Sequence, residues 1–85
     1  MPIAVAIMTK MSFGGWLQWR RRHLELSQDD IAVKLNVSRQ SVSKWEKDKS
    51  APALNPDQTH ILCNLLEVDG ATLARAFRGE IEIDD

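Results

Sequence analysis

The chain has 85 residues, 44% of them hydrophobic and 27% charged, which indicates one small globular domain rather than a disordered chain. Its single cysteine, Cys63, excludes an internal disulfide and a cysteine-only metal site. We expect Cys63 to be a small core residue, and we expect the protein to act in a reducing cytoplasm. The net charge of −1 conceals an asymmetry, because residues 10–49 carry nine Lys/Arg against five Asp/Glu, whereas residues 50–85 carry two against seven. One basic face and an acidic remainder are therefore expected. No apolar run approaches the roughly 18 residues that span a bilayer, so no membrane role is expected.

The N-terminal part of the chain predicts an arm followed by a helix. Residues 3–7 are β-branched residues and alanines, which favours a short strand or an ordered arm within residues 1–12. Apolar side chains then recur at helical spacing, which predicts a first helix over 13–24. We interpret its Trp16 and Trp19 as core or dimer-packing residues rather than as a platform that stacks nucleobases.

A strong helix start follows this first helix. Ser27 can cap free backbone N–H groups, and Asp29 and Asp30 suit the positive first turn of a helix. The apolar stripe after them predicts a second helix over 28–35. Asn36 comes next, and asparagine tolerates the left-handed backbone conformation that a tight turn needs.

A third helix is predicted over 39–47, with Ser38 as its cap. Val42, Trp45 and Glu46 share one face at helical spacing, which indicates that this face packs on the rest of the domain. Long polar side chains lie on the other faces, at and after the start of the helix: Arg39, Gln40 and Lys44.

Two more helices complete the predicted all-α domain. Asn55, followed by proline and then by glutamine three positions after the cap, predicts a fourth helix over 56–67. Asp69 can cap a short fifth helix, and we expect its Leu73 and Phe77 to point inward.

The chain therefore divides into an arm (1–12), a domain (13–77) and an acidic tail (78–85). Residues 80–83, within the acidic segment 80–85, alternate between acidic and apolar side chains, which is a weak strand signal. They are interpreted as a solvated tail, with the alternative that they pair with residues 3–7 in the same chain or across a dimer.

Two capped helices separated by about three residues are typical of a helix-turn-helix unit, whose second helix enters the DNA major groove. Its outer side chains must then be long hydrogen-bond donors. Arg39 can read guanine O6 and N7, and Gln40 can read adenine N6 and N7, each through two hydrogen bonds. Ser41 and Ser43 can reach a phosphate or a base, and the backbone N–H groups at the start of the second helix can hold a phosphate beside Gln28.

Residues 26–32 (LSQDDIA), residues 37–46 (VSRQSVSKWE) and Pro52 resemble the Xre/Cro/lambda-repressor class of bacterial and phage regulators, over about residues 13–77. The resemblance implies a compact five-helix domain that binds double-stranded DNA as a homodimer on a palindromic operator, usually as a repressor. By position it implies base contacts from Arg39, Gln40 and Lys44. It also implies phosphate contacts, for which we select Gln28, Ser38, Ser41, Ser43, Lys47 and Lys49.

The same resemblance implies a structural salt bridge between Arg21 and Glu46. Asn36 departs from the glycine that the family often has in the turn, but asparagine tolerates the same conformation. Of the neighbouring arginines, Arg20 or Arg22 is a further candidate for a phosphate contact, although consecutive helix residues point in different directions.

The alternative function is an antitoxin or another protein-interaction module on the same fold, with a toxin or another protein as partner and DNA binding secondary or lost. An enzyme is not expected, because no nucleophile–base pair or phosphate loop is visible. His23 and His60 lack the spacing of metal ligands, so neither a metal nor a cofactor is expected.

Overall fold

The computed structural model describes residues 8–84, with side chains described for residues 10–81. Within this range the chain forms five helices and two short strands, and the predicted five-helix, all-α domain is confirmed. The predicted helix ends lie within one residue of the observed ones, except at the short fifth helix, for which no end was predicted. The elements are β1 (Met8–Lys10), α1 (Phe13–His23), α2 (Gln28–Leu35), α3 (Arg39–Glu46), α4 (Pro56–Leu66), α5 (Gly70–Phe77) and β2 (Glu82–Asp84).

Side-chain caps begin every one of the five described helices. The predicted caps Ser27, Ser38, Asn55 and Asp69 each accept a hydrogen bond from the backbone N–H three residues later. Two of these are capping boxes, in which the third residue of the helix also accepts from the N–H of the cap. Sequence reasoning did not predict the cap of α1, which is Ser12.

The helix C-termini share one backbone motif. At each helix end, a residue just beyond the helix donates its backbone N–H to the carbonyl of the residue five positions earlier. The donor and acceptor pairs are Leu26 to Arg21, Val37 to Ala32, Lys49 to Lys44, Val68 to Cys63 and Glu80 to Arg75. The residue before that donor takes a positive φ of 56–68°. Only one of these five residues is glycine: they are Glu25, Asn36, Asp48, Glu67 and Gly79. The left-handed turn predicted at Asn36 is confirmed.

One apolar core joins all five helices. The fully buried side chains come from every helix: Leu17, Ile31, Leu35, Val42, Leu62, Leu66 and Leu73. Trp16 and Trp45 are also buried. Cys63 lies in this core as predicted, and burial, followed by the negative charge of Asp69, raises the pKa of its thiol.

Two aromatic side chains are more exposed than the sequence predicted. Phe77 was expected to point inward, but it is 41% exposed because it is the last residue of α5. One face of its ring stacks on Phe13, with 4.5 Å between the ring centroids. Trp19 is 40% exposed and stacks on His23 at 5.5 Å, one turn further along α1. Of the two predicted roles, Trp16 therefore takes the core one, and dimer packing by Trp19 stays a prediction.

The two strands pair antiparallel within the same chain, with Met8 opposite Asp84 and Lys10 opposite Glu82. Residues 3–7, which were predicted to form the strand, lie outside the described residues, and the observed pairing begins just after them. The backbone N–H of Met11 continues the pairing to the carbonyl of Ile81 at 3.1 Å, so the segment before α1 is joined to the segment after α5. None of the helices in residues 8–84 is long and apolar enough to cross a membrane.

Candidate DNA-binding surface

Helix α3 has one buried side and one exposed side. Val42, Trp45 and Glu46 are at most 7% exposed and pack against α1 and α2. The opposite side carries three exposed, long polar side chains that follow one stripe at helical spacing: Gln40, Lys44 and Lys47. Arg39, in the first turn, is also exposed and lies at the edge of this stripe. The buried side fixes the orientation of the helix, and the exposed stripe is free for a ligand.

Most of the predicted contact residues on this stripe line one open depression. It runs along α3 into the following loop and is lined by Gln40, Ser43, Lys44, Lys47 and Lys49. The structure thus brings together two of the three predicted base-reading residues and three of the predicted phosphate contacts. Three positive charges in one depression favour a polyanion as ligand.

Gln28 and Arg39 line a second, more polar depression between the start of α2 and the end of α1. The side chain of Gln28 is half-buried, and its Nε2 donates a hydrogen bond to Glu46 Oε1 at 3.0 Å. A primary amide carries two N–H groups, so this bond orients Gln28 and leaves its second N–H available for a ligand.

Ser38 and Ser41 have a clear structural role at the start of α3. The Oγ of Ser38 accepts the backbone N–H of Ser41 at 3.1 Å, and the two hydroxyls lie 3.0 Å apart. Ser38 is exposed and Ser41 is half-buried. The structure therefore accounts for Ser38 as a helix cap, and phosphate binding by either serine stays a prediction.

Arg21 and Glu46 form a buried ion pair, joined by two hydrogen bonds, on the packed side of α3. Arg21 Nε and Nη2 lie 2.6 and 3.0 Å from Glu46 Oε2 and Oε1, and the two side chains are 10% and 2% exposed. Arg21 also donates to the carbonyl of Leu26 at 2.9 Å. With the bond from Gln28, this network ties α1 and the α1–α2 turn to the end of α3.

A second connection, between the start of α1 and the end of α3, was not predicted from the sequence. The carboxylate of Asp48 accepts the backbone N–H of Gly14 at 2.8 Å and the hydroxyl of Ser12 at 2.7 Å. A Cβ on Gly14 would lie 2.4 Å from the carbonyl oxygen of Trp45, so only glycine allows the two backbones to approach this closely. Gly14 therefore allows the close contact between α1 and the end of α3.

The neighbouring arginines Arg20 and Arg22 have different surroundings in the structure. Arg20 donates to the carbonyls of Leu66 and Glu67 at 2.8 and 3.4 Å, so it binds the C-terminus of α4, where positive charge is favourable. Arg22 is exposed and lines the same depression as Gln28 and Arg39. Of these two candidates for a phosphate contact, Arg22 is the accessible one.

Residues 17–55 match a helix-turn-helix family. The resemblance predicted from the sequence is confirmed over this segment, which is similar to helix-turn-helix proteins of the Xre/lambda-repressor class. No curated protein sequence gives a significant match.

Two similar solved structures are those of the P22 c2 repressor. One shows that protein in complex with synthetic operator 9T, with 23% identity, a TM-score of 0.64, and coverage of 78% of this chain and 97% of that one. The other is the solution structure of its DNA-binding domain, with 24% identity, a TM-score of 0.64, and coverage of 79% and 86%. At this identity the likeness establishes the fold.

Among residues 8–84, no three His, Cys, Asp or Glu side chains are grouped so that they could hold a metal ion. His60 instead lies 3.2 Å from Asn64 on the same helix, and His23 stacks on Trp19. The expected absence of metal, cofactor and enzymatic activity stays a prediction.

Proposed function

We propose that this protein is a sequence-specific DNA-binding transcriptional regulator that inserts α3 into the major groove. The observation that carries the proposal is the division of α3 into a buried side and an exposed stripe of long donors. Such a division is what a recognition helix requires, because one face must pack on the domain while the other meets base edges. In this proposal Arg39, Gln40 and Lys44 contact bases.

The flanking residues contact the phosphate backbone on both sides of α3. Ser43, Lys47 and Lys49 lie beside Lys44 in one depression, and Gln28 and Arg22 lie beside Arg39 in the other. Contacts to phosphates on either side fix the register of the helix in the groove, whereas they carry no sequence information themselves. Ser38 and Ser41 belong to the same proposed backbone-contacting set.

We further propose that the protein acts as a homodimer on a palindromic operator and represses transcription there. A small domain gains stability from a partner, and apolar side chains remain exposed on it, including Trp19 and Phe77. The operator complex of the structurally similar P22 c2 repressor supports a DNA operator as ligand. The protein would act in the cytoplasm, where such an operator is located.

The test is selection of bound sequences from random DNA, followed by titration of variants against the selected site. Arg39→Ala and Gln40→Ala should each weaken specific binding by about 1–3 kcal/mol and relax selection at separate base pairs. Lys47→Gln with Lys49→Gln should weaken binding to all sequences and reduce the slope of log K against log salt by about two. Arg75→Gln, at an exposed position on α5, is the matched control and should change neither property.

Unchanged selection in both α3 variants would contradict the proposed reading face. Failure of the wild-type protein to bind any DNA at low salt, with co-purification of another chain, would favour the antitoxin or protein-interaction alternative. Sedimentation at micromolar concentration, with and without DNA, tests the homodimer, and a monomeric mass in both conditions would contradict it.

A further inference from the structure

The two adjacent aspartates in the first turn of α2 have different surroundings. Asp30 belongs to the capping box: its carboxylate accepts the N–H of Ser27 at 2.8 Å, and its own N–H donates to Ser27 Oγ at 2.9 Å. Asp29 points toward the recognition helix instead, with its Oδ1 4.0 Å from Arg39 Nε. Both aspartates lie in the positive first turn, as the sequence indicated, but Asp30 is held by the capping box, whereas the carboxylate of Asp29 has a charged neighbour on α3.

We infer that Asp29 is a positioning residue that orients Arg39 and thereby contributes to sequence discrimination. The inference rests on the proposed function. Asp29 approaches Arg39 through Nε, which leaves the two terminal nitrogens of the guanidinium free for guanine O6 and N7. A carboxylate on the Nε side limits the directions that this long side chain explores, because it attracts one edge of the guanidinium.

The charge of Asp29 has a second consequence. Asp29 lines the same depression as Gln28 and Arg22, which are proposed to face phosphates. A carboxylate there repels phosphate, and this repulsion weakens binding to every sequence equally. Asp29 therefore lowers the affinity for all DNA while it aligns a base contact, and only the alignment increases the ratio of specific to non-specific binding.

The experiment compares Asp29→Asn with wild type in competition titrations against the selected operator, the operator altered at the base pair read by Arg39, and random DNA. We expect discrimination at that base pair to fall only about twofold to fivefold, because Arg39 and Asp29 are 70% and 69% exposed and solvent screens a pair of this kind. We expect affinity for random DNA to rise about twofold to fivefold, because a like charge has been removed near phosphates.

Asp57→Asn is the matched control. Asp57 occupies the same position in α4 that Asp29 occupies in α2, the second residue of a helix that begins with a capping box. The two substitutions therefore change the helix-dipole interaction alike, but α4 does not carry the reading face. Asp57→Asn should leave both discrimination and affinity for random DNA unchanged.

A double-mutant cycle decides whether Asp29 acts through Arg39 or through Arg22, which shares the depression. In an Arg39→Ala background, Asp29→Asn should no longer change discrimination. Equal effects of Asp29→Asn and Asp57→Asn, or an undiminished effect in the Arg39→Ala background, would overturn the inference while the proposed function stands. A wild-type protein that discriminates no DNA sequence would overturn both.

Discussion

The buried ion pair between Arg21 and Glu46 makes a strong prediction about stability. Replacing either residue alone leaves the other charge buried, and the two side chains are only 10% and 2% exposed. Breaking such a pair costs about 3–5 kcal/mol. Glu46→Leu should cost more than Arg21→Met, because it also removes the acceptor of Gln28.

The magnitude is large relative to the whole fold, since small domains have about 5–15 kcal/mol of stability in total. A loss of 3 kcal/mol lowers the melting temperature of a domain of this size by roughly 12–24 °C. Thermal and urea unfolding of Arg21→Met, Glu46→Leu and the double variant measure the effect. The double variant should be more stable than either single variant, because it removes both buried charges and fills the space with apolar side chains.

The matched control is the ion pair between Arg78 and Glu80, which has a similar length of 3.0 Å but side chains 56% and 49% exposed. Solvent screens this pair, so Arg78→Ala should leave the melting temperature nearly unchanged. Losses below about 1 kcal/mol for both single variants at Arg21 and Glu46 would refute the reasoning, because that is the range of exposed pairs.

Two further predictions concern the helix ends. Glu67→Gly should raise the free energy of unfolding by about 1 kcal/mol in urea titrations, because a side chain at φ 56° is strained and glycine is not. The control is Lys47→Gly, which should not raise the free energy of unfolding, because φ at Lys47 is −95°. The hydrogen bond from the backbone of Ser27, followed by the one from its side chain, lowers the pKa of Asp30. Its contribution to stability is therefore fully present above the unfolded pKa of about 4 and is lost as the pH falls through the lower folded pKa. Melting temperatures measured from pH 6 to 2 should fall less steeply below pH 4 for Asp30→Asn, and parallel curves would contradict this.

Much of the fold could be predicted because its signals are local. A cap residue, such as Ser38, and the turn residue Asn36 act on backbone groups within a few positions, so their spacing alone places the helix boundaries. The alternation of apolar and polar side chains likewise divides α3 into its buried and exposed sides, with Trp45 on one and Lys44 on the other.

The candidate site was predicted less completely, because several of its contacts join residues far apart in the chain. Nothing near Gly14 indicates that the end of α3 will approach within 2.4 Å of a Cβ there, or that Asp48 will accept its N–H. Gln28 was assigned to phosphate from its place at the start of the second helix and from the resemblance, and its bond to Glu46 became visible only when α2 and α3 were packed together.

The sequence by itself determined that this chain forms five capped helices with a polar recognition stripe, since helix caps and side-chain periodicity depend on neighbouring residues. Only the tertiary structure decided which of several similar residues faces the ligand. It directed Arg20 to the C-terminus of α4, left Arg22 exposed beside Arg39, and separated Asp29 from Asp30. Adjacent side chains on a helix point about 100° apart, and what each one meets depends on the elements packed around that helix.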